Sequence, residues 1–584
     1  MYHSLPIGSY KYEGIIEKAL FFVLENQLLN RSLWKSFVNV FKTKEDSDDL
    51  RWRCEYWGKM MRGACLCYQY CGDKKLYETL EETVKDLLTT QDQWGRFSTY
   101  TIEKEFQSWD MWGRKYVLTA LEHFYQICKD DSLKSTILKA VENHVSYIID
   151  KIGNKEGQIE ITDTSSWWLG VNSASILETI VALYRLTKNE KYINFAGYIV
   201  NSGGVKGGNL IEEISKEKLL PHQLIEAKAY ETMSFFEGVL EYAIEVNNKS
   251  LYSSAIEFFD LVYQSEISVT GNAGSEDENF SYAALNQIIK PERFGQETCV
   301  SVTWMRIMHK LFLYTNDYKY HERFIITALN AYYGSINFHN QSSTDYPSTK
   351  LNPLPFDSYS PLVYGRRGIA TGGLNFMRDG TFYGCCTCIG SAGIGLLGLD
   401  CIIENEKNIA INDYFVGKIK TNEYQISIKG DYLKDGKVHL EIHSNKDIIL
   451  NIPSWSEATI IVNKKQIHSK NKSINIGKGQ FVVDIDFHLK IEKINIGNKT
   501  SYKYGYLILG LDEKDNPSIN LNELNDLDIK DFQLINNVDA QMVAFQANYK
   551  KQKLIFKDYA SCGKYWDLNN CYMTAFVNRS EYNE

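Results

Sequence analysis

The sequence predicts an α+β molecule of more than one domain, an (α/α)6 barrel followed by a C-terminal β-sandwich. Three observations predict it. A helical hairpin pattern recurs five times between residues 56 and 333. After about residue 405 the texture changes to short runs with period-two alternation. A chain of 584 residues, 44% of them apolar, is too long for one ordinary domain and can bury a large core. The expected domains are 1–404 and 405–584.

Each hairpin has a first helix ending in an aromatic-rich run, a short turn of Asp, Asn or Lys, and a second amphipathic helix. The five run from Tyr56 to Thr90, Trp112 to Ile149, Val171 to Asn201, Tyr230 to Gln264 and Thr298 to Tyr333. Tyr12–Leu29 and Ile389–Leu399 supply a sixth pair, one helix from each end of the domain. Six hairpins closed in a ring surround a pocket; an open solenoid is the alternative. The links between hairpins are long and hold Trp94, Trp109, Trp167 and Trp168, the loop Gly271–Phe280, and a Pro- and Gly-containing stretch at 335–386. Such links read as ordered cleft walls. The expected strands include Tyr424–Ile428, Lys437–His443, Ile448–Ile452, Thr459–Val462, Phe481–Ile485 and Tyr506–Leu509.

Charge and composition narrow the partners. There are 64 basic and 73 acidic residues, a net charge of −9, and no Lys/Arg-rich block, which argues against nucleic acid. The first residues carry no basic segment, and the apolar run Ala19–Leu24 stops at Glu25, too short for a membrane span. The expectation is a cytoplasmic protein with no membrane partner; a homodimer is allowed. Aromatic residues make up 13%, a content common where sugars bind. Twelve cysteines in this length are not a disulfide framework, and in a reducing compartment clustered thiols favour metal binding or catalysis.

Two short motifs carry the chemistry. Glu297-Thr-Cys299 lies at the expected start of a helix, where extended backbone lets both side chains face one way and a helix N-terminus favours thiolate. Cys385-Cys386 follows Gly384, whose freedom would let adjacent residues ligate one ion. Glu297, Cys299, Cys385 and Cys386 together are the donor set of a four-coordinate zinc site. Spacing alone leaves two other readings open: inert buried cysteines and a vicinal disulfide. Glu276-Asp-Glu278, in the Gly-rich loop before Glu297, is either solvated surface or the source of a general acid/base.

The run Gly271-Asn-Ala-Gly-Ser-Glu-Asp-Glu-Asn-Phe280, then Gln296-Glu-Thr-Cys299, then Cys385-Cys386, resembles glycoside hydrolase family 127, whose founding activity is β-L-arabinofuranosidase. Gly170-Val-Asn-Ser-Ala-Ser-Ile-Leu-Glu178, Ile452-Pro-Ser-Trp-Ser456 and Asp558-Tyr-Ala-Ser561 agree, so the resemblance covers nearly the whole chain. It implies the barrel and sandwich, a Zn2+ cofactor, a carbohydrate substrate and a retaining mechanism. In it Cys385 would be the nucleophile and Glu278 the acid/base. Glu297, Cys299 and Cys386 would hold zinc, with Cys385 as its fourth ligand. The sequence departs from the family pattern at Cys385-Cys-Thr-Cys-Ile-Gly390: the usual Asn is absent and Cys388 is an additional thiol, a rival fourth ligand. Glu276 likewise rivals Glu278.

For sugar contacts the candidates are Trp109, Asp110, Trp112, Trp167, Asn172, Tyr230, Tyr359 and Arg366, which stand at hairpin starts or in links. Core packing is the competing role for each aromatic, and Lys115 and Glu231 could form a structural ion pair. Two other functions remain open at this level: a carbohydrate-binding protein with structural zinc, and an (α/α)6 lyase or epimerase. The latter needs a Tyr/His or paired-His base that the sequence does not display.

Overall fold

The computed structural model describes residues 1–339, 354–365, 367, 373–380, 382–467, 472–537, 539–550, 552–564 and 572–580. Among them, six inner helices form a closed ring: Tyr56–Cys71, Asp110–Ile127, Leu177–Thr187, Ala229–Glu245, Thr298–Thr315 and Cys385–Asp400. Each packs on the next, and the last packs extensively on the first. The solenoid alternative is thereby excluded. The inner helices are buried on nearly every face, as Tyr56–Cys71 shows. The outer helices bury one stripe, as in Lys74–Leu88, where Leu76, Leu80, Val84 and Leu87 point inward.

The turns work as their residues suggest. Asp73, Asp130, Asn189, Asn248 and Asp317 each cap the second helix of a hairpin, their side chains accepting a backbone N–H of the first turn. Two details differ from expectation. Tyr12 ends a strand rather than opening a helix, because Gly14 at φ 71° breaks the chain before Ile15–Val23 begins. A helix at Arg31–Thr43, capped by Asn30, was not expected; it packs on Lys74–Leu88.

The ring closes because its last helix is thin. A Cβ on Gly395 would lie 2.6 Å from Leu66 Cβ and 2.7 Å from the Cys67 nitrogen. The bare glycine lets Cys385–Asp400 lie directly on Tyr56–Cys71.

Beyond the ring, strands dominate, in two large sheets. The first is built on the antiparallel strands Tyr424–Asp431, Lys437–Asn451 and Ser473–Asp486. Its Lys437–Asn451 strand joins two runs that the sequence separates, with a register shift between Ser444 and Ile448. This sheet also recruits the start of the chain: His3–Ser4 pairs with Ile403 and Glu404, and Tyr10–Tyr12 pairs with Gly417–Ile419. The second sheet is ordered Ile491–Ile496, Lys499–Tyr504, Leu507–Asp512, Gln552–Asp558, Ala544–Tyr549 and Gln533–Ile535. One hydrophobic core runs from ring residues such as Trp304 into the first sheet at Leu440 and the second at Phe556.

Candidate active site

Two helix N-termini converge on one point. Gly295–Glu297 is a short strand, paired with Tyr359–Pro361, that leads straight into Thr298–Thr315. Glu297, at φ −70° and ψ 127°, is the extended residue before that helix, and Cys299 lies in its first turn. The strand is pinned by Asn272, whose Nδ2 donates to the Glu297 carbonyl at 3.0 Å, and by Gln296, whose Nε2 donates to Tyr559 Oη at 2.7 Å. The second N-terminus follows the hairpin Leu374–Phe376 and Phe382–Gly384, after which Cys385 and Cys386 open the helix Cys385–Asp400.

Gly384 does not act as expected. Its backbone is ordinary extended chain, φ −139°, and a Cβ there would meet the tip of the Leu374 side chain at 2.3 Å. The glycine whose geometry matters is Gly373, at φ +67°, where a Cβ would fall 2.2 Å from Cys385 Sγ. The Gly373 carbonyl also accepts the Cys385 backbone N–H at 3.1 Å.

The ligand atoms of Glu297, Cys299, Cys385 and Cys386 all lie within 4.8 Å of one another. Cys385 Sγ and Cys386 Sγ are 3.9 Å apart, which excludes a vicinal disulfide here, and Cys386 Sγ is 3.7 Å from Glu297 Oε1. Among the described residues, Cys388 is not part of this group. It is buried, its thiol pushed up by desolvation, with the Glu55 charge adding to the shift.

The electrostatics separate the three thiols. Hydrogen bonds from Cys299 and Cys386 hold the Cys385 thiol well below its usual range, and the Lys59 ammonium helps. Burial pushes Cys299 and Cys386 up. Burial also raises Glu297, with the Glu278 charge adding to it. Glu297 Oε2 is buried and has no hydrogen-bond partner. A buried carboxylate oxygen left bare beside three thiols is costly unless a cation takes it. The cluster therefore fits a metal ion.

Around it opens a cleft of about 1120 Å³, lined among others by Cys385, Glu297, Glu278, Glu231, Lys59 and Gly373. Glu278 is held by Lys228 and Tyr359, each donating to one of its carboxylate oxygens. Its rival Glu276 turns away to Arg293, 2.5 Å distant. Asp277 and Glu278 both have positive φ, 50° and 64°, the strained backbone often stored at functional loops.

The sugar-contact candidates divide. Trp109, Trp112, Trp167 and Tyr230 line the cleft. Trp109 packs between Trp52 and Trp168, ring centroids 5.7 and 4.8 Å away, and Trp167 stacks beside it at 6.3 Å. Trp112 donates its indole N–H to Glu55, and Tyr230 shares a hydroxyl contact with Tyr116. Asp110 is away from the cleft surface: it accepts from Ser98 at 2.5 Å and the Phe106 backbone at 2.9 Å, and it pairs with Arg114. Asn172 is buried and braces the wall, donating to Ser165 Oγ at 3.0 Å. Tyr359 reaches the site through Glu278. Arg366 lies outside the described residues. Lys115 and Glu231 do not pair; Lys115 donates to Ser175 Oγ at 3.1 Å.

Two residues at the site had no motif to mark them, Glu55 and Lys59; Lys228 and Glu231 stand in the run Lys228-Ala-Tyr-Glu-Thr-Met-Ser, which also resembles the family, but no role at the site was read from it. Lys59 is 3.7 Å from Cys299 Sγ and 3.0 Å from Glu55, and lies 4.5 Å from the Tyr230 ring centroid. The available signal was a charge in an otherwise apolar inner helix, Tyr56-Trp-Gly-Lys-Met-Met.

A family model described as "Beta-L-arabinofuranosidase, GH127 catalytic domain" matches residues 17–354. The chain belongs to glycoside hydrolase family 127. It is a glycoside hydrolase, and its substrate is a carbohydrate. Solved structures share the fold of this GH127 chain. Ara127N-Se, a GH127 β-L-arabinofuranosidase from Geobacillus stearothermophilus T6, superposes with a TM-score of 0.74 at 15% identity, covering 98% of this chain and 100% of that one. A second GH127 β-arabinofuranosidase gives 0.73 at 16% identity, covering 99% and 98%. No curated protein matches the chain in sequence. No helix among the described residues is long and apolar enough to cross a membrane.

Proposed function

We propose that this enzyme removes a terminal β-L-arabinofuranosyl, or related furanosyl, residue with retention, through a thioglycosyl intermediate on Cys385. The observation that carries the reading is that Cys385, in the thiol cluster, and Glu278, a loop carboxylate held by Lys228 and Tyr359, line one cleft. Cys385 Sγ attacks the anomeric carbon as the glycosidic C–O bond breaks, and Glu278 gives its proton to the departing oxygen. Water then attacks the same carbon, Glu278 takes its proton, and the C–S bond breaks. Two inversions give retention. Lys228 and Tyr359 orient the Glu278 carboxylate and suit its second task, as base.

Glu297, Cys299, Cys386 and Cys385 would hold a zinc ion. Their donor atoms lie within 4.8 Å of one another, three sulfurs and a carboxylate oxygen, a set that suits zinc. When bound, zinc would keep the thiols deprotonated at neutral pH. Trp109, Trp112, Trp167 and Tyr230 would pack against the sugar or its aglycone. Buried free thiols suit a reducing, cytoplasmic setting.

Hydrolysis of 4-nitrophenyl β-L-arabinofuranoside, with the product anomer followed by NMR, tests the reading. Cys385→Ala and Glu278→Gln should each abolish turnover, and Cys386→Ala should also lose its metal by elemental analysis. Full activity in Cys385→Ala would sink the mechanism.

A further inference from the structure

We propose that Glu231 determines specificity, accepting a hydrogen bond from a hydroxyl of the sugar held between Cys385 and Glu278. Glu231 lies in the first turn of Ala229–Glu245, at the wall of the cleft. Only 3% of the residue is exposed, and its Oε2 has no hydrogen-bond partner. Its other contact is with its own backbone N–H.

The neighbouring cations act on Glu231 only through their charge, Lys228 most strongly, and make their hydrogen bonds to other groups. Lys228 bonds Glu278, Lys59 bonds Glu55 and contacts Cys299, and Lys115 bonds Ser175. Asp49 and Asp163, at the cleft rim, pair with Arg53 and Lys206, and the three other carboxylates nearer the thiols have partners or a role as well. Glu55 has Lys59 and the Trp112 indole, Glu278 has Lys228 and Tyr359, and Glu297 belongs to the metal cluster. Glu231 alone among these four presents a buried acceptor oxygen with no role in the chemistry. Burial pushes its carboxyl up to about 7, against the nearby Lys228 charge, and the Glu278 charge adds to the rise.

A helix N-terminus by itself would explain an acidic residue in the first turn. It does not explain a buried carboxylate oxygen without a hydrogen-bond partner at the wall of the cleft. Leaving such a group bare is costly, and a site built this way rejects a ligand that lacks the matching donor. A sugar hydroxyl supplies the donor without bringing a charge to be desolvated.

The assignment rests on the reading of Cys385 and Glu278 as the reacting groups, and its test is separable from that reading. The zinc-loaded wild type and Glu231→Ala are compared by kcat/KM on the best-cleaved aryl glycoside and on its monodeoxy analogues. In wild type, removing one particular hydroxyl should cost about 100-fold or more. In Glu231→Ala the same removal should cost at least tenfold less, while the penalties for the other hydroxyls stay unchanged. Intrinsic reactivity of each deoxy sugar cancels in this comparison. Equal penalties in both proteins at every position would overturn the proposal. Glu231→Met, which keeps the length of the side chain and removes the acceptor oxygens, is read the same way if Glu231→Ala does not fold. A wild type that cleaves pyranosides but no furanoside would overturn the furanoside reading, and Glu231 would still be judged on the pyranoside series.

Discussion

At the scale of single residues, Cys385, the nucleophile proposed here, is positioned by a glycine as much as by its own helix. Gly373 accepts the Cys385 N–H and leaves no room for a methyl beside its sulfur. Gly373→Ala should therefore lower kcat/KM by about 100-fold or more, the cost of displacing a reacting atom by an ångström. The melting temperature should stay within a few degrees; aryl furanoside kinetics beside a thermal melt check both. Cys385, Cys386, Cys299, Glu297 and Glu278 were legible in the sequence because thiols and carboxylates in two short motifs have few uses in common. Glu55 and Lys59 were not, and Glu231 was read as a partner for Lys115, because a lone charge in a helix does not reveal which way it points. Asp110 misled for the same reason: its place before an inner helix was visible, but not the Ser98, Phe106 and Arg114 partners that absorb it.

At the scale of elements, Cys385–Asp400 joins structure to chemistry. It is apolar on all sides and carries Gly390, Gly393, Gly395 and Gly398 among neighbours that admit no Cβ. Its first turn holds two of the four clustered ligands. Gly395→Leu should push it away from Leu66, costing roughly 1–3 kcal/mol or more in overpacking. It should also weaken metal retention, because the helix N-terminus moves with the helix; urea unfolding and competition with a chromogenic chelator measure the two effects. The sequence reading began this helix at Ile389, four residues late. The short hairpin Leu374–Gly384, which delivers the chain to the helix start, has strands of only three residues and little pattern to read.

At the scale of the whole molecule, a buried charge cluster ties the ring to the first sheet. His309 and His321 both bond Asp400 at the end of the Cys385 helix, and His321 Nε2 lies 3.1 Å from Asp413 Oδ2, beside the sheet. His321 is raised from 6.5 to about 10: burial opposes the charge, but Asp413 and Asp400 outweigh it. A raised histidine stabilises fully below its unfolded value, and the gain is lost as pH climbs through the folded value. Stability should thus fall between about pH 6.5 and 10. His321→Gln should be less stable at pH 6 and flatter across this window, as urea midpoints at pH 6, 8 and 9.5 would show. Asp400 is lowered to about 2, chiefly by His321 against the cost of burial. Its contribution is present above its unfolded value and fades as pH falls through the folded one.

The sequence by itself determined the helical hairpins, their caps, the change to strands near residue 405, and the two motifs that bear the thiols. All of these rest on periodicity and on residue types with local consequences. Only the tertiary structure decided that the ring closes, that Cys388 stands outside the cluster, that Glu276 turns to Arg293, and that Glu231 lines the cleft with one carboxylate oxygen buried and unpartnered. Those outcomes depend on which helix faces come together and which polar atoms find partners across many residues, and no local pattern encodes them.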